Sequence, residues 1–101
     1  METTRNMIIC ILDGNNITDR ERLHDTLANS LPLPDWYGRN LDALYDCLSD
    51  LQEETEIRLL HREALEEALG RYAWALQKAI CRACRENPRI HFIRDAEIKQ
   101  T

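Results

Sequence analysis

Glycine and proline are scarce in this chain, three of each among 101 residues. That scarcity excludes a low-complexity or linker-rich protein and leaves long stretches free for regular structure. Long apolar runs are also missing. The run Met7-Ile8-Ile9-Cys10-Ile11-Leu12 is halted by Asp13-Gly14; it is too short to span a membrane and too short for a signal-peptide core with its cleavage site. A cytoplasmic location is therefore expected, with the four cysteines reduced and mostly filling the core. Catalytic and metal-binding patterns are absent as well. No glycine-rich loop could cradle a phosphate, and no Ser or Cys stands in a nucleophile elbow. His24, His61 and His91 fall in three unrelated contexts. Cys81-Arg82-Ala83-Cys84 is a lone CxxC inside a helical stretch, without the second pair a zinc site needs and without the strand-to-helix position of a redox pair. Neither enzyme activity nor a metal or cofactor is expected. Length allows one domain, 1–101, with 95–101 a polar, loose tail.

An excess of basic residues is lacking too. Thirteen Lys and Arg face eighteen Asp and Glu, a net charge of −5. The imbalance is concentrated: residues 35–56 hold seven acids and one base, whereas residues 57–101 hold nine bases and six acids. An acidic block of this kind repels nucleic acid and attracts a basic protein, speeding the encounter.

Periodicity supplies the architecture. Residues 7–12 read as a strand, and a continuous apolar run fits one buried on both faces of a parallel sheet. Asp13-Gly14-Asn15-Asn16 is a turn. Thr18-Asp19-Arg20-Glu21 reads as a capping box opening a helix to about Asn29, with Leu23, Leu27 and Ala28 inward. Leu31-Pro32-Leu33-Pro34 cannot continue it. Asn40 can cap a helix over roughly 41–51, on which Leu41, Leu44, Leu48 and Leu51 form one stripe and Asp42, Tyr45, Asp46 and Ser49 the opposite one. Thr55 to Leu60 predicts a second strand, 62–86 one or two helices with Gly70 a kink or break, and Arg89 to Arg94 a third strand. Strands separated by helices imply an α/β fold: a three-stranded parallel sheet packed with three to four helices.

The stripe bearing Asp42 and Asp46 is open to two readings. Acids one turn apart are commonly just a solvated helix face. Here, however, the face also carries Tyr45, and the loop before it offers Asp35, Trp36 and Tyr37. Large aromatics beside acids are the composition of an interface hot spot. Carboxylates of this kind can enter a cationic pocket built for phosphate, accepting charge-assisted hydrogen bonds. Trp36 or Tyr37 could equally anchor the proline-rich loop in the core. Gly38 could serve the turn into the helix, a close backbone approach by a partner, or both.

Residues 33–48 also follow a specific pattern. Leu33-Pro34-Asp35-Trp36-Tyr37-Gly38-Arg39-Asn40-Leu41-Asp42-Ala43-Leu44-Tyr45-Asp46-Cys47-Leu48 resembles the L-P-x-[WY]-Y-G-x-N-L-D-A-L-x-D-x-L segment of the barstar family, small intracellular inhibitors of ribonucleases. Leu12-Asp13-Gly14 with Ile17 resembles the family's first strand-to-helix turn, and Ile90 to Ile93 its last strand. The resemblance implies that the second helix and its preceding loop plug a ribonuclease active site. Asp46 would stand in for the substrate phosphate and Asp42 would pair with a second basic group. Trp36 would stack over the site, with Tyr37, Gly38, Asn40, Tyr45 and Ser49 around it. Arg39 and Arg82 depart from the family, which carries acids there, and Tyr45 replaces a tryptophan. The implied partner is a basic ribonuclease or related nuclease toxin other than the family's usual target. A non-inhibitory interaction module for regulation or self-association is the alternative, and the chain is expected as a monomer or weak homodimer.

Overall fold

The computed structural model describes residues 7–94; the expected loose tail lies outside them. Three parallel strands, β1 (Ile8–Asp13), β2 (Thr55–Leu60) and β3 (Ile90–Arg94), form one sheet in the order β1-β2-β3. Ile8 stands opposite Thr55 and Asp13 opposite Leu60; Thr55 also faces Ile90, and Leu59 faces Arg94. Helices α1 (Arg20–Ser30) and α2 (Leu41–Asp50) connect the first two strands, and α3 (Arg62–Leu69) and α4 (Arg71–Glu86) the last two. The α/β class and the three-stranded parallel sheet expected from the periodicity are both present, with four helices.

Cys10 and Leu12 of β1, Ile57 and Leu59 of β2, and Ile90 of β3 turn toward the helices. They meet Leu23 and Leu27 of α1, Leu44 and Leu48 of α2, Leu65 of α3, and Leu76 and Ile80 of α4 in a single cluster. Each fully buried leucine or isoleucine contributes roughly 1.5–3 kcal/mol of transfer free energy.

The sheet corrects the expectation that β1 is buried on both faces. Ile9 and Ile11 are 45% and 46% exposed, and burial alternates along β1 and β2. The helices cover one face only, so an apolar run that reads as doubly buried has one half facing out. Ile9 shares its outer row with Glu56 and His91, and Ile11 shares its row with Arg58 and Ile93.

Helix α1 begins one residue later than the capping box predicts. Asp19 is the cap, its carboxylate accepting from the Arg22 amide at 2.8 Å. A carboxylate is a stronger acceptor than the Thr18 hydroxyl and is favoured at a helix N-terminus. The buried stripe is also rotated: Leu23, His24 and Leu27 are buried, and Ala28 is exposed.

Two glycines have structural tasks. Gly14 lies so close to the start of α3 that a Cβ there would stand 2.1 Å from the His61 carbonyl oxygen. Gly70, at φ 60° and ψ −131°, breaks the long helical stretch into α3 and α4, a conformation open to glycine and costly for other residues.

Candidate functional site

Helix α2 is held at both ends. At its start Asn40 accepts from the Ala43 amide at 2.8 Å. At its end the last carbonyls have no partner within the helix. Asn87, buried just beyond α4, supplies one: its Nδ2 donates to the Leu48 and Leu51 carbonyls, each at 2.9 Å, and to that of Ser49 at 3.4 Å. Its Oδ1 accepts from the Arg89 amide. Leu44 and Leu48 fix the rotation of α2 by full burial, and Leu41 is only half-buried. That rotation turns Asp42 and Asp46 into solvent.

The preceding loop divides its aromatics between core and surface. Trp36 is 78% exposed. With Pro32, Pro34, Asp46 and Asp50 it lines a cavity of about 240 Å³, so an indole and two carboxylates share one recess. Cys47, expected in the core, is half-buried at the edge of the same recess. Tyr37 turns the other way and is 9% exposed. Its hydroxyl lies 2.6 Å from Nδ1 of His24, whose Nε2 lies 2.8 Å from the Tyr72 hydroxyl on α4. Tyr37 thus anchors the loop from inside. Gly38 is exposed at the turn into α2, where its carbonyl accepts from the Asn40 side-chain Nδ2 at 3.3 Å; a Cβ there would stand 3.2 Å from that same Nδ2. Asp35 is exposed at the loop's outer edge.

The remaining positions are less open than their spacing implied. Tyr45 is half-buried, with the Arg82 guanidinium of α4 stacked 4.6 Å over its ring. The Ser49 hydroxyl is fully buried without a hydrogen-bond partner among the described residues, because α4 packs against that side of α2. Arg39 adopts a left-handed φ of 56°. Its guanidinium is ion-paired with Asp25 and donates to the Glu21 carbonyl, which ties it to α1, although it lines one recess with Asp42. Asp42 and Asp46 have no cationic partner among the described residues.

His24 and Asn87 are the two residues of this region that pattern alone does not single out. A polar residue at an inward helix position is the one signal His24 gave. Burial, followed by the charges of Arg39 and Arg20, holds its imidazole below the ordinary histidine range. In neutral form one ring nitrogen donates to a tyrosine hydroxyl and the other accepts from one. Below pH 6.5 the unfolded chain binds a proton at His24 that the folded chain resists. Stability therefore falls as pH drops through that value toward the depressed folded one, with a slope of at most about 1.4 kcal/mol per pH unit from this group. Urea unfolding at successive pH values measures the slope; His24→Gln should remove it, and an unchanged slope would assign it to other groups.

Among the described residues no cluster of His, Cys, Asp or Glu could hold a metal ion, and no helix is long and apolar enough to cross a membrane. What the surface presents is two exposed carboxylates one turn apart, an indole in one recess with the second of them, Asp46, and a loop locked from beneath.

A sequence profile described as Barstar (barnase inhibitor) matches residues 7–97. A protein of Bacillus subtilis (strain 168) described as "Putative ribonuclease inhibitor YrdF" is 56% identical over 39 residues, a stretch spanning 39% of this chain and 43% of that protein.

Proposed function

The chain belongs to the barstar family, a family of inhibitors rather than enzymes, and on that premise we propose that it inhibits a basic ribonuclease, or a related nuclease toxin, by closing the active site with α2 and the loop before it. The observation that carries this reading is the pair Asp42 and Asp46, exposed and without a cationic partner among the described residues, with the 78% exposed Trp36 in one recess with Asp46. A nuclease site is built from cations that hold phosphate. Asp46 enters it in place of the phosphate, accepting charge-assisted hydrogen bonds, and Asp42 takes a second cation. Trp36 covers the site and displaces water, which strengthens each ionic contact. Asp35, Gly38 and Asn40 form the rim.

The same charges that bind also steer. The excess acid of residues 35–56 raises the association rate with a basic partner and makes it salt-dependent. It also disfavours the nuclease's substrate as a competing ligand, so the partner is a protein and not nucleic acid. The place of action is the cytoplasm, where the inhibitor would protect the cell from its own nuclease. Tyr37 and Ser49 support the surface from below, the first through His24, the second by packing against α4.

The test is inhibition of RNA hydrolysis. Basic ribonucleases and nuclease toxin domains are titrated with the purified chain, and loss of fluorogenic RNA cleavage is followed. Stoichiometric inhibition of at least one, weaker at high salt, is expected. If no basic nuclease in such a panel is inhibited or bound, the inhibitor reading is withdrawn.

A further inference from the structure

The basic half of the chain also converges on one place. Trp74, Lys78, Arg82 and Arg85 of α4, with Arg94 at the end of β3, line a groove of about 510 Å³ that has no acidic residue in its wall. Trp74 is 58% exposed. Lys78, Arg82 and Arg85 are exposed and have no acidic partner among the described residues. Yet the acidic face of α2 is adjacent, joined to the groove by the stack of Arg82 on Tyr45. Unpaired cations and unpaired carboxylates thus stand side by side on neighbouring helices without pairing with each other.

This adjacency selects the occupant. A phosphate strand in the groove would run beside Asp42 and Asp46 and be repelled. A fitting partner carries both signs in the reverse order, and this chain has that arrangement. A twofold axis near the Tyr45–Arg82 stack would lay α2 of one copy over α4 of the other, so that each acid-to-base contact would occur twice. Trp36 on the acidic side and Trp74 on the basic side, both exposed, would each meet the opposite copy. We propose that a second copy of this chain docks here, the acidic face of α2 on each molecule seated in the basic groove of α4 on the other. The pair is weak and salt-sensitive, since exposed charges supply most of the attraction. It covers Asp46, so self-association and nuclease binding exclude each other. The measurement below contains no nuclease and stands apart from the inhibitor reading.

The test is a charge exchange read by sedimentation equilibrium. Wild-type chain, from about 10 µM to about 1 mM, should form dimers at low salt, with the dissociation constant rising at least about tenfold at about 500 mM salt. Arg85→Glu and Asp46→Arg, both at exposed positions, should each lose self-association, because each sets like charges against one another at both contacts. Mixed in equal amounts, the two variants should regain dimers, since only the mixed pair has opposite charges at both contacts. Circular dichroism checks that both remain folded. A wild type that stays monomeric throughout, single variants that dimerise as wild type does, or a mixture that fails to recover would each overturn the proposal. So would binding of a labelled RNA oligonucleotide, abolished by Arg85→Glu, in a chain that does not self-associate; that result would give the groove to nucleic acid.

Discussion

Asp46→Ala should weaken binding of the target nuclease by about a hundredfold to a few thousandfold. The reason lies in what truncation leaves behind. In the proposed complex the Asp46 carboxylate would be withdrawn from water together with the cations that receive it. Removing one member of such a pair leaves the other buried and uncompensated, a loss of about 3–5 kcal/mol, at a factor of ten for each 1.4 kcal/mol. Asp46 is exposed and has no ion-pair partner among the described residues, so the variant should fold as well as its parent, and the loss should reside in dissociation rather than in stability. Glu67→Ala, an exposed acid on α3 far along the chain, is the control and should change affinity by less than about threefold, the scale of long-range steering alone. Titration calorimetry of both variants against the same nuclease gives the comparison. Equal affinities would remove Asp46 from the role assigned to it.

The second large effect falls on stability. Asn87→Leu keeps the approximate volume of the side chain and removes its amide. The Leu51 carbonyl then loses its buried donor, the Leu48 carbonyl keeps only the longer bond from the Leu51 amide, and the Arg89 amide loses its acceptor. A buried polar group left unsatisfied costs about 1–3 kcal/mol, and partial rescue by water reduces the sum. A net loss of about 2–4 kcal/mol is expected, a fall in melting temperature of roughly 10–20 °C for a domain of this size. Hydrogen exchange should accelerate most at the C-terminal turn of α2, which loses its clamp. A change below about 0.5 kcal/mol in urea unfolding would mean that Asn87 is not what closes that helix.

Much of the scaffold was legible because it follows from local rules. The strand Thr55–Leu60, the helices either side of Gly70 and the cap at Asn40 depend on residues within a turn or two of each other. The exposure of Asp42 and Asp46 follows from the leucine spacing of the same helix. What escaped the reading depends on distant partners. His24 is buried because Tyr37 and Tyr72 stand 13 and 48 positions away, and no periodicity in α1 announces either. Ser49 lies on the acidic stripe by spacing, but α4 packs over its hydroxyl. The outward half of β1 is not legible locally, because a run of isoleucines looks the same whether one or both faces of a sheet are covered. Trp36 and Tyr37, adjacent in sequence, point opposite ways; the choice between them is made by a histidine thirteen residues earlier.

The clamp from Asn87 to α2 has a consequence for synthesis. Translation delivers the acidic helix well before the residue that closes it, 36 to 39 positions later, and the central strand gains its second neighbour only once β3 has emerged. Parallel pairings between strands so far apart in the chain close slowly, because a long loop must be ordered before any contact rewards it. A ribosome-bound chain that has not yet emerged through β3 therefore displays carboxylates on an unfinished helix. The proposed nuclease binding should switch on late, as a step near the completion of β3, rather than build gradually with chain length.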